Sequence, residues 1–432
     1  MAILSALSKV FEKLVHEAIG AATRQFIAPW QHGFVRHRST TSNLVATTNF
    51  IIQSIEDGHQ VDAIYTDFSK AFDRVRHSVF MRKLERIGFH GPILRWIGSY
   101  LSGRRQQVLI NNFLSKFITV TSGVIQGSHL GPLLFIIFLN DIADSLTSMN
   151  LAFADDFKML RQIKTNKDAT EFQEEIKKFS SWCATNAMEL NIDKCCVISF
   201  YRKRTPITFE YAINDQPINR TSTVKDLGIF LDHKLSFNAH IDYVITRSYG
   251  LLGFLQRICA NVTNVWALKS VYTSLVRSTL EYGSVVWQPY HTTHINRIES
   301  IQRKFVRFVF RHTDARSNFR LPPYHPRRAA LALETLENRR RNALLFFLYD
   351  LLNEFIDAPE LRRKLNISVA PRPGLRHTRT FLPSSHRTLY GRMEPISRMM
   401  EEFNEVSASD NSYRIFGVNR GTFRSHTLSL VR

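Results

Sequence analysis

Residues 151–160 read LAFADDFKML, and the apolar arms on either side of Asp155 and Asp156 predict a β-hairpin with a carboxylate pair at its tip. Working back along the chain, the largely apolar run at 61–67, VDAIYTD, predicts a strand that ends in another carboxylate, Asp67. After it, HSVFMRKLERIGF at 77–89 puts Val79, Phe80, Leu84 and Ile87 on one helical face. PILRWIGSYLSG at 92–103 predicts a helix with Pro92 in its first turn, and QQVLI with KFITV predicts a strand pair turning at Asn111 and Asn112. A loop from Gly123 to Gly127 and a buried helix from Pro132 to Leu146 lead into the hairpin. Beyond it, Phe172, Ile176, Phe179 and Trp182 recur at helical spacing, and CCVISF at 195–200 returns as a strand. The pattern is α+β, a sheet backed by helices.

Composition narrows the class of function. A chain of 432 residues with 44% hydrophobic residues and 32 phenylalanines has material for two or three packed cores, which excludes a solvated tail. Its formal charge of +20 points to a polyanionic partner, nucleic acid first, with an ordinary basic protein or an acidic lipid surface as the alternatives. Cys183, Cys195, Cys196 and Cys259 lack the paired spacing of a zinc site or disulfide framework, so they are read as buried thiols in a reducing compartment. The longest apolar run, Leu133 to Leu139, is far too short to cross a bilayer, and MAILSALSKVFEKLV at the start reads as an amphipathic helix.

Strand signals fade after about residue 235. Ile241, Val244, Ile245, Leu252, Leu255 and Ile258 then mark a helix that others follow. Between Ile301 and Leu345, Arg303, Lys304, Arg307, Arg311, Arg316, Arg320, Arg327, Arg328, Arg339, Arg340 and Arg341 face only Asp314, Glu334 and Glu337. The last ninety or so residues, with APRPGLRHTRTFLPSSHR at 370–387, read as a linker or a small subdomain.

Strand-end aspartates that meet at one point are the expected protein share of a divalent-cation site. Magnesium takes hard oxygen ligands, and two such ions about 4 Å apart stabilise both the attacking and the leaving oxygen of a phosphoryl transfer. An isolated aspartate after a strand, or a pair in a turn, is more often turn chemistry. The flanking residues lift the metal reading.

The chain resembles the reverse transcriptases of non-long-terminal-repeat retrotransposons, most closely the jockey-like group. The resemblance is carried in order by QHGFVRHRST at 31–40, AIYTDFSKAFDRV at 63–75, SGVIQGSHLGPLLFIIFLNDI at 122–142 and AFADDF at 152–157. It continues through LNIDKCCVISF at 190–200, VKDLGIFLDHKLSF at 224–237, LEYGSVVWQP at 280–289 and RIESIQRKFVRFVF at 297–310. What the resemblance implies is a right-hand polymerase fold: partial fingers at 1–60, a palm of antiparallel sheet backed by helices at 61–235, a helical basic thumb and connection at 236–345, and a C-terminal extension at 346–432. It implies an RNA-directed DNA polymerase working inside the cell, in nucleus or cytoplasm, on an RNA template, a DNA primer and a dNTP, with two Mg²⁺ ions that Mn²⁺ can replace.

The same resemblance implies site residues. Asp67, Asp155 and Asp156 hold the metals, and Lys194 serves the leaving pyrophosphate as proton donor or charge partner. Phe72 packs under the incoming sugar, where its ring excludes a 2′ hydroxyl, though as a residue alone it reads equally well as core; Phe68 is likewise placed at the nucleotide. Gln126 and Gly127 form the loop over the nascent base pair, or a simple turn before a helix. Arg36 and Arg38 meet the triphosphate or lie on the surface, and Asp73 braces its turn. Arg303, Lys304, Arg307 and Arg311 track nucleic-acid phosphates, and the Asp226 to Phe237 segment positions the primer end.

The chain departs from the family pattern at Phe153, where many relatives carry Tyr, and at His37, which replaces a frequent Gly. Its opening inside the fingers region implies an N-terminally truncated member, and the endonuclease that family members often carry upstream is not within this stretch. The competing readings are an inactive remnant that only binds nucleic acid, and a palm polymerase that makes RNA or an intron-type maturase.

Overall fold

The computed structural model describes residues 4–313, 321–368, 379–388, 390–410 and 412–431. The chain forms two compact units, Met1–Asn43 with Gly58–Ser222, and Leu44–Asp57 with Thr223–Arg432.

The first unit is built on a five-stranded sheet of β1 (Gln60–Thr66), β2 (Met149–Phe153), β3 (Asp156–Ile163), β4 (Cys196–Phe200) and β5 (Asn219–Arg220), in the order β5-β4-β1-β3-β2. β1 lies in the middle, antiparallel to both β3 and β4, and almost all of it is buried. That explains its near-continuous apolar sequence, since both of its faces are covered. The one charge inside it, Asp62, accepts hydrogen bonds from Tyr211 Oη and Gln60 Nε2, each at 2.8 Å, so the buried carboxylate is satisfied. Phe157 of β3 stacks on Phe179 at 5.2 Å, which joins the sheet to the helix Asn166–Thr185. Phe172, Ile176 and Phe179 of that helix are buried, as their spacing predicts.

The predicted helix at 77–89 forms over His77–Arg86 with Phe80 and Leu84 buried, and Gly91–Leu101 forms with Pro92 in its first turn. Truncating Phe80 to Ala would cost about 3–5 kcal/mol. Lys83 points inward as well. Its ammonium donates to the Phe138 carbonyl at 2.9 Å and to Asp141 at 2.6 Å, while burial holds its pKa below the ordinary lysine value. The predicted turn at Asn111 and Asn112 is present, both residues having positive φ, 47° and 66°, as a two-residue hairpin loop requires.

One helix is shorter than its sequence predicts. The buried helix expected from Pro132 to Leu146 runs over Leu130–Leu139. Asn140 leaves it to accept from the Ala28 amide and to donate to the Phe26 carbonyl, both at 2.7 Å, and Asp141 turns to Lys83 and the Trp182 indole. These contacts come from distant parts of the chain and override the local apolar pattern.

The second unit contains the strand pair Thr223–Asp226 and Ile229–Asp232 and a set of helices that includes Asn238–Ile258, Thr292–Thr313 and Leu336–Leu352. Tyr272 stacks on Phe305 at 4.0 Å inside it. The last ninety residues are more than a linker: Pro395–Ser409 and Arg420–Leu430 are helices of this unit. Phe423 stacks on Tyr349 at 4.6 Å, and Arg420 pairs with the largely buried Asp350 at 2.6 Å. All four cysteines are free, three of them buried and Cys196 half-buried. No helix among the described residues is long and apolar enough to cross a membrane.

Candidate active site

The sheet register sets the site. The β1 to β3 pairing runs up to Thr66 opposite Phe157, so Asp67 is the first residue to leave β1, beside the tip of the β2 to β3 hairpin. Thr66 fastens this end, its hydroxyl donating to the Phe157 carbonyl at 2.9 Å. The hairpin closes with Phe153 opposite Asp156, which leaves Ala154 and Asp155 as its two-residue loop. Beyond Asp67 the chain is held by the segment before β4: the Asp67 carbonyl accepts from the Asn191 amide, and the Ser69 amide donates to Glu189, both at 2.8 Å.

Asp67 and Asp155 are close enough to repel. Burial pushes the Asp155 carboxyl above the ordinary aspartate range, and the negative charge of Asp67 pushes it the same way. Asp156 is exposed at the start of β3. No three His, Cys, Asp or Glu side chains among the described residues are arranged to hold a metal ion by themselves. The chain therefore presents two neighbouring carboxylates, Asp67 and Asp155, with a third, Asp156, next along the chain. That set fits magnesium, which is usually held by one or two carboxylates together with water and substrate phosphates. Lys194 lies beside Asp67, its ammonium 3.5 Å from that carboxylate.

Phe72 and the Gln126 loop belong to one assembly. The Phe72 carbonyl accepts from the Val124 amide at 2.8 Å, and Gly123 donates to Val75 at the same distance. Gly123 has φ +86°, and a side chain on it would come within 2.8 Å of the Asp73 Cα. Close approach of two backbones thus fixes the loop whose exposed outer residues are Gln126 and Gly127. Ser128 closes it, accepting from the Gly131 amide and donating to the Ile125 carbonyl, both at 2.8 Å. Asp73 contributes backbone bracing, its carbonyl accepting from the Ser122 hydroxyl at 2.8 Å. Phe68 differs from its neighbour: its ring is 5% exposed and packs near Phe179, so it belongs to the core and offers a ligand only backbone.

The two arginines of the 31–40 segment have different surroundings. Arg36 is exposed. Arg38 donates through Nη1 to the carbonyls of Ala28, Pro29 and Gln31, at 2.9, 3.1 and 2.8 Å, so its guanidinium braces the loop it belongs to. Sequence reasoning passed over the residues of this segment that touch the aspartate turn. Gln31 is buried and bonds to Ala154, and a side chain on Gly33 would lie 2.0 Å from the Ala154 nitrogen. The glycine beside Phe34 was the available signal. His32 between them is buried and neutral, its pKa held down to about 3 by burial first and by Arg38 and Lys158 next.

In the second unit, the helix Thr292–Thr313 separates its residues cleanly. Ile301, Phe305, Val306 and Val309 are buried, whereas Arg303, Lys304, Arg307 and Arg311 are exposed together along the other face. Arg316, Arg320 and Asp314 of the predicted basic stretch lie outside the described residues. Arg340 and Arg327 are buried instead, and Arg339 pairs with Glu281, so the surface charge is smaller than the sequence count.

Comparison with known proteins shows the family. The family described as reverse transcriptase (RNA-dependent DNA polymerase) matches residues 1–231. The RNA-directed DNA polymerase from mobile element jockey of Drosophila melanogaster is 27% identical over 320 residues, which cover 71% of this chain and 35% of that protein. The probable RNA-directed DNA polymerase from transposon BS of the same species is 29% identical over 327 residues, covering 72% of this chain and 36% of that one. This chain thus spans about a third of the length of these relatives. A solved structure of telomerase from Candida tropicalis in complex with a fragment of telomeric RNA aligns over 98% of this chain and 57% of its own, at 10% identity and a TM-score of 0.42. With its match running from the first residue through the Asp67 strand, the Asp155 hairpin and β4, the chain belongs to the reverse transcriptase (RNA-dependent DNA polymerase) family and is similar to the polymerases of jockey-like retrotransposons.

Proposed function

We propose that the chain is the polymerase segment of an RNA-directed DNA polymerase, joining a deoxynucleotide to the 3′ hydroxyl of a DNA primer paired with an RNA template. The primer oxygen forms the new bond to the α-phosphorus as pyrophosphate leaves. The observation that carries the reading is the sheet register, which ends β1 just before Asp67, beside the hairpin tip that holds Asp155 and Asp156. Two carboxylates in that relation attract divalent cations. Two Mg²⁺ ions, replaceable by Mn²⁺, would be held by Asp67, Asp155 and Asp156 with substrate phosphates, and would supply stabilisation of the attacking and leaving oxygens.

The remaining roles are those that the family resemblance implies. Lys194, exposed beside Asp67, is suited to meet the charge of departing pyrophosphate or to give it a proton. Phe72 is the gate against a ribose 2′ hydroxyl, Gln126 and Gly127 cover the nascent pair, and Arg36 meets the triphosphate. The carbonyl bonds of Arg38 favour a bracing role for it instead. Arg303, Lys304, Arg307 and Arg311 track the phosphates of template and primer without reading sequence. We assign 1–60 to partial fingers, 61–235 to the palm, 236–345 to a helical thumb and connection, and 346–432 to an extension. Such substrates imply work in the nucleus or the cytoplasm.

The test is incorporation of deoxynucleotides by the purified chain on a primed RNA template with Mg²⁺. Activity above an Asp155→Ala control is expected. Salt-sensitive RNA binding with no incorporation, indifferent to Mg²⁺ and to Asp155→Ala, would instead identify a nucleic-acid-binding remnant.

A further inference from the structure

The carboxamide of Gln31 makes a set of bonds whose geometry admits one orientation. Its Oε1 accepts from the Gly33 amide at 2.7 Å and from the Ala154 amide at 3.0 Å, while its Nε2 donates to the Ala154 carbonyl at 3.1 Å. Two N–H donors converge on one end and a carbonyl faces the other, so oxygen and nitrogen cannot be exchanged. The side chain is 1% exposed.

These bonds continue a ladder that the backbone begins. Gln31 bridges Ala152 in parallel, with the Ala152 amide donating to Trp30 and the His32 amide donating to Ala152, both at 2.8 Å. The Asn43 side chain adds a bond to the same Ala152 carbonyl at 3.1 Å. Two residues further on, at Ala154, the Gln31 side chain takes over, bonding to both the amide and the carbonyl.

Ala154 needs that support. It has φ +59°, the left-handed region that a residue with a Cβ adopts only at a cost, and it immediately precedes Asp155. Gly33 lets the two backbones meet, since any side chain there would also come within 2.8 Å of the Ala154 Cα and the Phe153 carbonyl carbon. The Gln31 carbonyl in turn accepts from Arg38 at 2.8 Å, which anchors the segment from behind.

We infer that Gln31 is a positioning residue for the aspartate turn: its carboxamide holds Ala154 in the left-handed conformation and so sets where the Asp155 carboxylate points. The catalytic half of this inference rests on the polymerase reading of the site, whereas the conformational half does not. Partners of this kind behind a metal ligand are typically worth about 10–100-fold in metal affinity or activity.

The test replaces Gln31 by Met, close in length and without the polar groups. Hydrogen exchange at the Ala154 amide is expected to accelerate at least about tenfold, Mn²⁺ affinity read by electron paramagnetic resonance to weaken about tenfold, and kcat to fall with the KM for dNTP nearly unchanged. Ala154 exchange and Mn²⁺ affinity within twofold of the parent, in a folded Gln31→Met protein, would overturn the inference. Should that variant fail to fold, Gln31→Glu keeps both accepted bonds but turns an oxygen toward the Ala154 carbonyl in place of the donor Nε2; exchange at the Ala154 amide is then expected to accelerate several-fold over the parent, and exchange within twofold of the parent overturns the inference. A parent protein that incorporates no nucleotide refutes the polymerase reading, and the Ala154 exchange rates still decide on the clasp.

Discussion

The Phe72 ring lies flat on Phe135, centroids 4.3 Å apart and planes 15° from parallel, and meets Phe34 edge-on at 6.1 Å. Phe135 is itself fully buried within the helix Leu130–Leu139, so the face behind Phe72 cannot yield. If Phe72 is the proposed gate, a 2′ hydroxyl pressed against it would meet a fixed wall. Phe72→Ala is predicted to lower discrimination between dNTP and rNTP, as the ratio of kcat/KM values, by about 10-fold or more, the effect of about 1.4 kcal/mol. A ratio unchanged within twofold would show that Phe72 is only a core residue.

Asp155 gives a stability prediction whose sign is fixed by its environment. Burial and the Asp67 charge raise its pKa, so the folded protein holds that proton to higher pH than the unfolded chain does. The group favours folding at pH below the ordinary aspartate value and penalises it above the raised one. At neutral pH, without divalent cations, Asp155→Asn is expected to melt at a higher temperature than the parent. Added Mg²⁺ should then raise the melting temperature of the parent more than that of the variant. A lower melting temperature for the variant in chelator would contradict the charge argument.

His32 predicts acid sensitivity in a defined window. Because the folded protein keeps this imidazole neutral down to about pH 3, the unfolded chain binds a proton there that the folded one does not. Its contribution to stability is complete above about pH 6.5 and is lost as pH falls toward 3, with a slope of at most about 1.4 kcal/mol per pH unit. In urea titrations at stepped pH, His32→Gln should flatten the profile between these limits. An identical slope in parent and variant would mean that His32 titrates freely.

The exposed cations of Thr292–Thr313 predict salt dependence. Exchanging Arg303, Lys304, Arg307 and Arg311 together for Gln removes charge from one solvent face and leaves the buried Ile301, Phe305 and Val309 untouched. The slope of log K for RNA–DNA hybrid binding against log salt should become shallower by about 3, roughly 0.7–0.9 for each phosphate that is no longer neutralised. A change smaller than about 1, with helicity and melting temperature intact, would remove this face from the nucleic-acid path.

How much of this was legible in the chain can be traced residue by residue. Strand β1 and the Asp155 hairpin were readable because an apolar run and a two-residue turn are local patterns, and the helix over His77–Arg86 because its apolar residues repeat at the helical period. The exposed row Arg303, Lys304, Arg307 and Arg311 was readable for the same reason, since spacing alone puts these residues opposite Phe305 and Val309. Arg38 could not be told from Arg36 by sequence. What separates them is three carbonyl oxygens presented by a folded loop.

Sequence by itself determined the alternation of strands and helices, the aspartates at strand end and hairpin tip, and the excess of positive charge, because each is written in neighbouring residues or in simple counts. Only the tertiary structure decided that Phe68 faces inward, that the buried helix stops at Leu139, and that Gln31 reaches Ala154 across 123 positions of chain. Those outcomes depend on which distant backbone groups are left needing a partner once the sheet has closed, and a buried donor or acceptor must find one wherever the fold supplies it.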